Sequence, residues 1–242
     1  MIMKEALIVG GSNGIGLAIV NSLQNYDRIY VLDKSEPELP FPKNVFFEQF
    51  DLTNFNCSIL KKYLHVNTLI ITAGIGKLEL FQNITDDEIV KYFNINTISI
   101  IRIVRLFYSK LLGKTDFYCG IMVSIAGFMS SPFFSVYGAT KAALKIFIES
   151  VNVELIKSGT SNRILNISPG SIQGTKFSNG INNLSLTIPL AEEIIQKLHK
   201  KEDLFIPQYE EIFKQVLERY HQDFRAEGIH SYEYKIATKR IK

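Results

Sequence analysis

The chain has 242 residues, 46% of them hydrophobic and 21% charged, which suits one sizeable domain with its own core. A net charge of +3, with basic residues scattered outside the tail KIATKRIK, is too mild to argue for a nucleic-acid partner. Cys57, Cys119 and four dispersed histidines have neither metal-ligand nor redox spacing, and the first apolar run, ALIVGG, meets glycine too soon to span a bilayer. A cytoplasmic protein with no metal and no membrane partner is expected.

From the N-terminus, short apolar runs alternate with longer helical patterns. EALIVG, RIYVLD, VFFEQF, TLIITAG, YCGIMVS and RILNIS read as strands, several of them apolar on both faces. Helical periodicity covers Gly14 to Asn25, Asn56 to Leu64, Asp86 to Leu112 and Val136 to Ser158. Strict alternation implies βαβ units. The expected fold class is α/β, a single-domain, doubly wound, Rossmann-like parallel sheet spanning residues 1–242. PELPFPK (residues 37–43) reads as a turn. Residues 85–112 are apolar on more than one side, which suggests a partner subunit against that helix. After Ser168 the pattern changes: a polar, glycine-containing stretch is followed by a helix around Ala191 to Lys201 and the segment DLFIPQ. An amphipathic helix over 208–226 then carries the stripe Tyr209, Ile212, Phe213, Val216, Leu217, Tyr220 and Phe224.

The first strand runs into GGSNGIG, and a helix follows. Glycines at such a turn let the backbone approach a pyrophosphate, which rests on the N–H groups of the helix N-terminus. Gly10, Ser12, Asn13, Gly14, Ile15 and Gly16 are therefore candidate dinucleotide contacts. Asp33 ends the second strand, where a carboxylate accepts both adenosine ribose hydroxyls. It would repel a 2′-phosphate by about 4 kcal/mol per unit charge at 4 Å and an effective dielectric of 20. NAD is thus expected over NADP, although Lys34 next door can swing towards a phosphate. Asp51-Leu52 follows the third strand as a candidate adenine contact; Asp51 reads equally as a helix N-terminal carboxylate. Tyr137 and Lys141, in YGATK, lie four apart and share one helix face.

Taken in order, these motifs resemble the short-chain dehydrogenase/reductase family over roughly residues 4–175. Gly10, Gly14 and Gly16 match its Gly-x-x-x-Gly-x-Gly turn, Tyr137 and Lys141 its Tyr-x-x-x-Lys pair, and Pro169-Gly170 its turn after the sixth strand. Ser124, in IMVSIAG, precedes Tyr137 by the family's spacing, and Asn96, in FNINT, falls where the family keeps an asparagine. The resemblance implies an oxidoreductase that interconverts an alcohol and a carbonyl with NAD(P). Tyr137 would be general acid/base, Lys141 would lower its pKa and hold the nicotinamide ribose, Ser124 would hold the substrate oxygen, and Asn96 would hold a water in the proton relay. Moving a phenol from pH 10 towards neutrality takes about 4 kcal/mol of preferential phenolate stabilisation.

Three departures qualify this. The family's Asn-Asn-Ala-Gly is Ile71-Thr72-Ala73-Gly74 here, leaving Ala73 and Gly74 as cofactor contacts. The family's threonine beyond Pro-Gly falls at Gly174, so Thr175 is named through a small bulge. The family's Val-Asp-Gly-Gly tail is missing, which replaces the usual tetramer with an expected homodimer through two long helices. Residues 171–190 correspond to the segment that closes over substrate, and its apolar residues, with Ile75, Phe128, Phe133 and Phe134, are candidates to line a pocket for a small molecule. The alternative reading is a catalytically silent dinucleotide sensor or scaffold.

Overall fold

A computed structural model describes residues 3–38, 40–175, 177 and 181–238. Residue 39 of the proline-rich turn, 176 and 178–180 of the expected lid, and 239–242 of the basic tail lie outside the described residues. Seven parallel strands form one sheet: β1 (Glu5–Val9), β2 (Arg28–Asp33), β3 (Val45–Gln49), β4 (Thr68–Ile71), β5 (Tyr118–Met122), β6 (Ile164–Ile167) and β7 (Leu204–Phe205). Their order is β3-β2-β1-β4-β5-β6-β7, so the winding reverses between β1 and β4. That reversal opens the crevice where sheets of this kind take ligands.

The two-residue period of a strand sends alternate side chains to opposite faces. Leu7, Val9, Leu69 and Ile71 pack with Leu60 of α2 (Cys57–Lys61), Ile100 and Phe107 of α4 (Ser99–Leu112) and Leu144 of α5 (Ser135–Lys157). Ala6, Ile8, Val31 and Ile70 pack with Ala18 and Ile19 of α1 (Gly14–Ser22) and with Ala191 and Ile194 of α6 (Leu184–His199). Both faces are covered, and this is why the strands read as continuous apolar runs.

The helix expected over Asp86 to Leu112 is present as α3 (Asp86–Phe93) and α4, joined by a wide π-turn over Asn94–Ile98. Its start is set by a capping box, with the Thr85 side chain accepting from Glu88 N and Glu88 returning to Thr85 N at 2.9 Å.

Beyond Ser168 the structure differs from the sequence reading in three places. Helix α6 begins at Leu184 rather than near Ala191, because Asn183 caps it through Ser185 N at 3.1 Å; the second half of 171–190 is therefore helical. DLFIPQ contains the seventh strand, β7, which is too short to show a period. The helix expected over 208–226 is a wide turn at Tyr209–Phe213 and then α7 (Lys214–Gln222). It stops at Asp223, which turns extended and caps a separate α8 (Phe224–Ala237) through the N–H groups of Arg225 and Ala226. Phe224 consequently belongs to α8. Among the described residues no helix is long and apolar enough to cross a membrane.

One buried amide ties the far end of the sheet together. Asn162 donates to the carbonyls of Gly113 at 3.1 Å and Thr115 at 3.0 Å and accepts from Phe117 N at 3.0 Å, closing the exit of α4 onto the start of β5. Asn162→Ala is expected to lose about 2–3 kcal/mol in a denaturant titration, because several buried backbone groups lose their partner. Dinucleotide affinity, read at the opposite end of the sheet, is expected to stay unchanged.

Candidate active site

The glycine turn between β1 and α1 has room for nothing larger than glycine at two points. At Gly10 (φ +96°) a Cβ would strike the Ala73 backbone, and at Gly16 it would strike the Gly10 carbonyl oxygen. The turn is held from β4: Thr72 Oγ1 donates to Gly10 O at 2.8 Å, so this hydroxyl supplies backbone support where the family keeps an asparagine. Ile71 is fully buried and works only as core.

At the crest of the turn, Ser12 is 1% exposed and its Oγ has no hydrogen-bond partner among the described residues. A buried hydroxyl without a partner costs about 1–3 kcal/mol, which an incoming acceptor such as a phosphate oxygen would recover. The close-packed glycines and this orphaned hydroxyl fit a dinucleotide. Gly10, Ser12, Asn13, Gly14, Ile15 and Gly16 would cradle its pyrophosphate. Asp33 is fastened beside them, Oδ2 accepting from Ser12 N at 3.0 Å and Oδ1 from Ser35 N at 3.2 Å.

Asp51 caps the short turn Leu52–Asn54 by accepting from Thr53 N at 2.8 Å, which holds its carboxyl below the usual range; Leu52 is buried. The helix-capping role is thus present for Asp51. Ala73 and Gly74 leave β4 directly beneath the turn, and a Cβ on Gly74 would come 3.3 Å from Asn96 Oδ1 and 3.5 Å from Lys141 Nζ.

Asn96 is fully buried in the π-turn. Its Nδ2 donates to Ile75 O at 2.8 Å and to Thr140 Oγ1 at 3.2 Å, and its Oδ1 accepts from Ile75 N at 2.8 Å. Thr140 Oγ1 in turn donates to Tyr137 O at 2.7 Å. The end of β4, the bend of α3–α4 and the first turns of α5 are thereby joined at one amide. Ser124, at the end of β5, accepts from Ala126 N at 3.1 Å, donates to Pro169 O at 3.5 Å and acts on the Tyr137 phenol. Lys141 Nζ, on a residue 2% exposed, donates to Met122 O at 2.9 Å and lies 5.7 Å from the Tyr137 ring centre.

Asn96, Ser124, Tyr137 and Lys141 therefore converge at one end of the sheet. Their electrostatics depart from the simple expectation of an acidified phenol. Burial pushes Tyr137 up to about 12, against which the Ser124 hydrogen bond acts, and burial pushes Lys141 down to about 7. Desolvation penalises whichever form carries charge, and it is the largest cause at both groups.

The segment after β6 closes over this end. Pro169 O accepts from Ile125 N at 3.0 Å, and a Cβ on Gly170 would meet the Phe213 ring at 2.5 Å. Gly174, at φ +78°, supplies the bulge that places Thr175 against Gly14, where a Cβ would come 3.3 Å from the threonine Cβ. Two lid residues not named individually from the sequence also reach the site, Phe177 as one of the segment's apolar residues and Asn182 with no signal of its own. Asn182 Oδ1 accepts from Gly14 N at 3.1 Å while its Nδ2 donates to Asn13 Oδ1 at 3.0 Å, and the Phe177 ring lies 5.5 Å from that of Tyr137. Of the expected pocket residues, Phe134 lies beside Tyr137, whereas Phe128 packs on the Ile125, Ile206 and Leu217 cluster and Ile75 against the main core.

The lowered Lys141 has a signed consequence. Its folded value, about 7, is below its ordinary 10.5, so from pH 10.5 down to 7 the unfolded chain takes up a proton that the folded chain does not. Lys141→Met removes that cost. The variant is expected to melt at a higher temperature than the wild type at pH 7, and the gap is expected to shrink as pH approaches 10.5, in melts followed by circular dichroism.

Residues 4–184, well over half of the chain, match the short chain dehydrogenase family. An uncharacterized oxidoreductase of Saccharomyces cerevisiae is 26% identical over 189 residues, which cover 71% of this chain and 61% of that protein; the chain thus spans about three fifths of this relative's length. A short-chain dehydrogenase from Streptomyces avermitilis superposes with a TM-score of 0.76 at 20% identity, covering 97% of this chain and 99% of the other. One from Burkholderia cenocepacia, solved in complex with NADP, gives 0.75 at 19% identity, covering 93% and 97%. With the seven-stranded parallel sheet and the glycine turn, the match makes this chain a member of the short chain dehydrogenase family.

Proposed function

We propose that the chain is an NAD(P)-dependent oxidoreductase that interconverts an alcohol and a carbonyl, with Tyr137 as general acid/base. The observation that carries this reading is the convergence of Ser124, Tyr137 and Lys141 beside a glycine turn whose buried Ser12 hydroxyl lacks a partner among the described residues. The bound dinucleotide supplies or accepts the hydride. The chain's own residues bind, orient and move a proton. Ser124 offers its hydroxyl to the substrate oxygen, and Tyr137 holds the proton that this oxygen gains or loses. Lys141 sits behind the phenol, and Asn96 fixes the backbone that presents both residues. Thr175 and Asn182 close over the turn from the lid.

Asp33 supports NAD over NADP, since its carboxylate is held at the ribose end of the turn by Ser12 N. The Burkholderia relative binds NADP, so the discrimination needs direct measurement. NADH is expected to bind about tenfold tighter than NADPH, a difference of about 1.4 kcal/mol, and Asp33→Ala to narrow the gap. Equal or tighter NADPH binding by the wild type would mean that Lys34 overrules Asp33.

The raised phenol and lowered ammonium favour one alternative, a dinucleotide sensor that keeps the fold without turnover. Tyr137→Phe separates the two readings. In an enzyme the substitution costs about 100-fold or more in turnover and leaves dinucleotide binding intact. Tight dinucleotide binding by the wild type, with no turnover on a broad carbonyl and alcohol panel, would favour the sensor.

A homodimer is proposed through the outer faces of the two long helices. Leu112 on α4 and Ile146, Val153 and Ile156 on α5 are all exposed in the single chain. A monomer in sedimentation equilibrium would rule this out.

A further inference from the structure

The first turn of α1 is capped from far along the chain. Asn13 stands at the N-cap position, with the extended backbone (φ −144°, ψ 161°) from which an asparagine ordinarily accepts an N–H of its own helix. Among the described residues it makes no such bond. Its Oδ1 instead accepts from Asn182 Nδ2 at 3.0 Å, and Asn182 Oδ1 accepts from Gly14 N at 3.1 Å. A helix start leaves its first N–H groups without intrahelical partners, and here one of them is taken by a side chain 168 positions away.

The position of Asn182 is set by the residues that follow it. Asn183 caps α6 by accepting from Ser185 N at 3.1 Å and from Ser185 Oγ at 2.7 Å, and its own N–H donates to Gly174 O at 3.0 Å. Helix α6 shares a buried cluster with α1, Ala191 and Ile194 lying with Ala18 and Ile19. Thr175, next to Gly174, reaches the same point of the turn, where a Cβ on Gly14 would come 3.3 Å from the threonine Cβ. The link between Asn182 and Gly14 is therefore built by the packing of two helices.

An amide oxygen at this place does what a phosphate oxygen does. Both accept hydrogen bonds, and the positive end of a helix dipole favours both. They differ in charge, and a hydrogen bond to an ionised oxygen is about twice as strong as one between neutral groups. The stronger acceptor wins a shared N–H, and the weaker one lowers its net gain.

On the reading that the glycine turn binds a dinucleotide for oxidoreduction, we infer that Asn182 is an internal competitor of the pyrophosphate. Its amide holds Gly14 N until a phosphate oxygen takes that N–H and releases the link to Gly14 and Asn13. Part of the binding energy goes into the exchange, so Asn182 sets the dinucleotide affinity below what the glycine turn alone gives. A neutral amide suits the role, because it caps the helix yet yields to an anion.

Titration calorimetry of ADP-ribose and of adenosine, on the full chain and on Asn182→Ala, tests this. Position 182 is half-buried and the variant keeps the α6 cap at Asn183, so it folds. ADP-ribose is expected to bind about 3- to 10-fold tighter to Asn182→Ala, the scale of one net hydrogen bond, while adenosine, which has no pyrophosphate, changes less than about twofold. Unchanged or weaker binding of ADP-ribose by the variant overturns the inference, the weaker result making Asn182 a dinucleotide contact instead. An equal gain for adenosine also overturns it, since the gain would not then belong to the phosphates. Hydrogen exchange at the Gly14 amide reads the link in the protein alone: faster exchange in Asn182→Ala is expected, and equal exchange overturns the inference. If neither protein binds ADP-ribose, the dinucleotide reading falls and the inference with it; if both bind it equally, the inference alone falls.

Discussion

The site depends on one buried amide. Asn96 sits at 0% exposure inside a helix that has widened to a π-turn, and its side-chain hydrogen bonds to Ile75 and Thr140 all leave that helix. A regular α-turn would keep the backbone on its own ladder and aim the side chain elsewhere; such widenings recur at functional sites. Here the bend lets the amide meet both the N–H and the C=O of Ile75, just past the end of β4, and the hydroxyl of Thr140 on α5. Thr97 reinforces the same junction by donating to Thr140 O at 3.0 Å. A buried primary amide with missing partners costs several kcal/mol, so these segments come together or the bend does not form. The turn carrying Tyr137 and Lys141 is positioned by that requirement rather than by apolar packing alone.

Positioning them there has an electrostatic cost, and the cost selects a resting state. Both groups lose water, and both are driven towards their neutral forms. At neutral pH the phenol therefore keeps its proton, the form needed to protonate a carbonyl oxygen as it becomes an alkoxide. Lys141, lowered by the same burial, gives up its proton more readily than an exposed lysine. This is also why stability and chemistry conflict at Lys141: an apolar residue of similar length packs without the desolvation penalty but leaves nothing behind the phenol.

What the sequence made legible follows the range of the interactions involved. The first six strands are readable because burial on both faces leaves unbroken apolar runs. Tyr137 and Lys141 are readable because a pair four apart on one helix needs no tertiary knowledge. Gly10 and Gly16 are readable because their constraint is the absence of a side chain, which shows in any sequence. The rest depends on partners far along the chain. Asn182 meets Gly14 across 168 positions, and nothing local to either residue announces it. What Thr72 does is set by Gly10 O, 62 positions away and 2.8 Å from its hydroxyl. Strand β7 is two residues long and is defined only by the edge of β6 that it completes.

The C-terminal helix shows why an apolar stripe is an unsafe guide to the buried side. On α8 the side chains buried against the protein are Glu227 and Lys235, while Phe224, Ile229 and Ile236 are exposed. The usual rule, that the apolar stripe faces inward, assumes a helix docking on a hydrophobic surface. Helix α8 docks on the loop of Ser130 to Phe134 and on Arg219 of α7, surfaces that offer hydroxyls, a carbonyl and a guanidinium beside the Phe133 ring. Such surfaces demand donors and acceptors. Lys235 supplies donors to the loop, and Glu227 receives Arg219 Nε at 2.8 Å. Gly228 permits the close approach, since a Cβ there would come 3.0 Å from Ser130 Oγ. The charged face is thus the one the loop requires, and because Phe134 of that loop lies beside Tyr137, the polarity of α8 is part of how that end of the sheet is shaped.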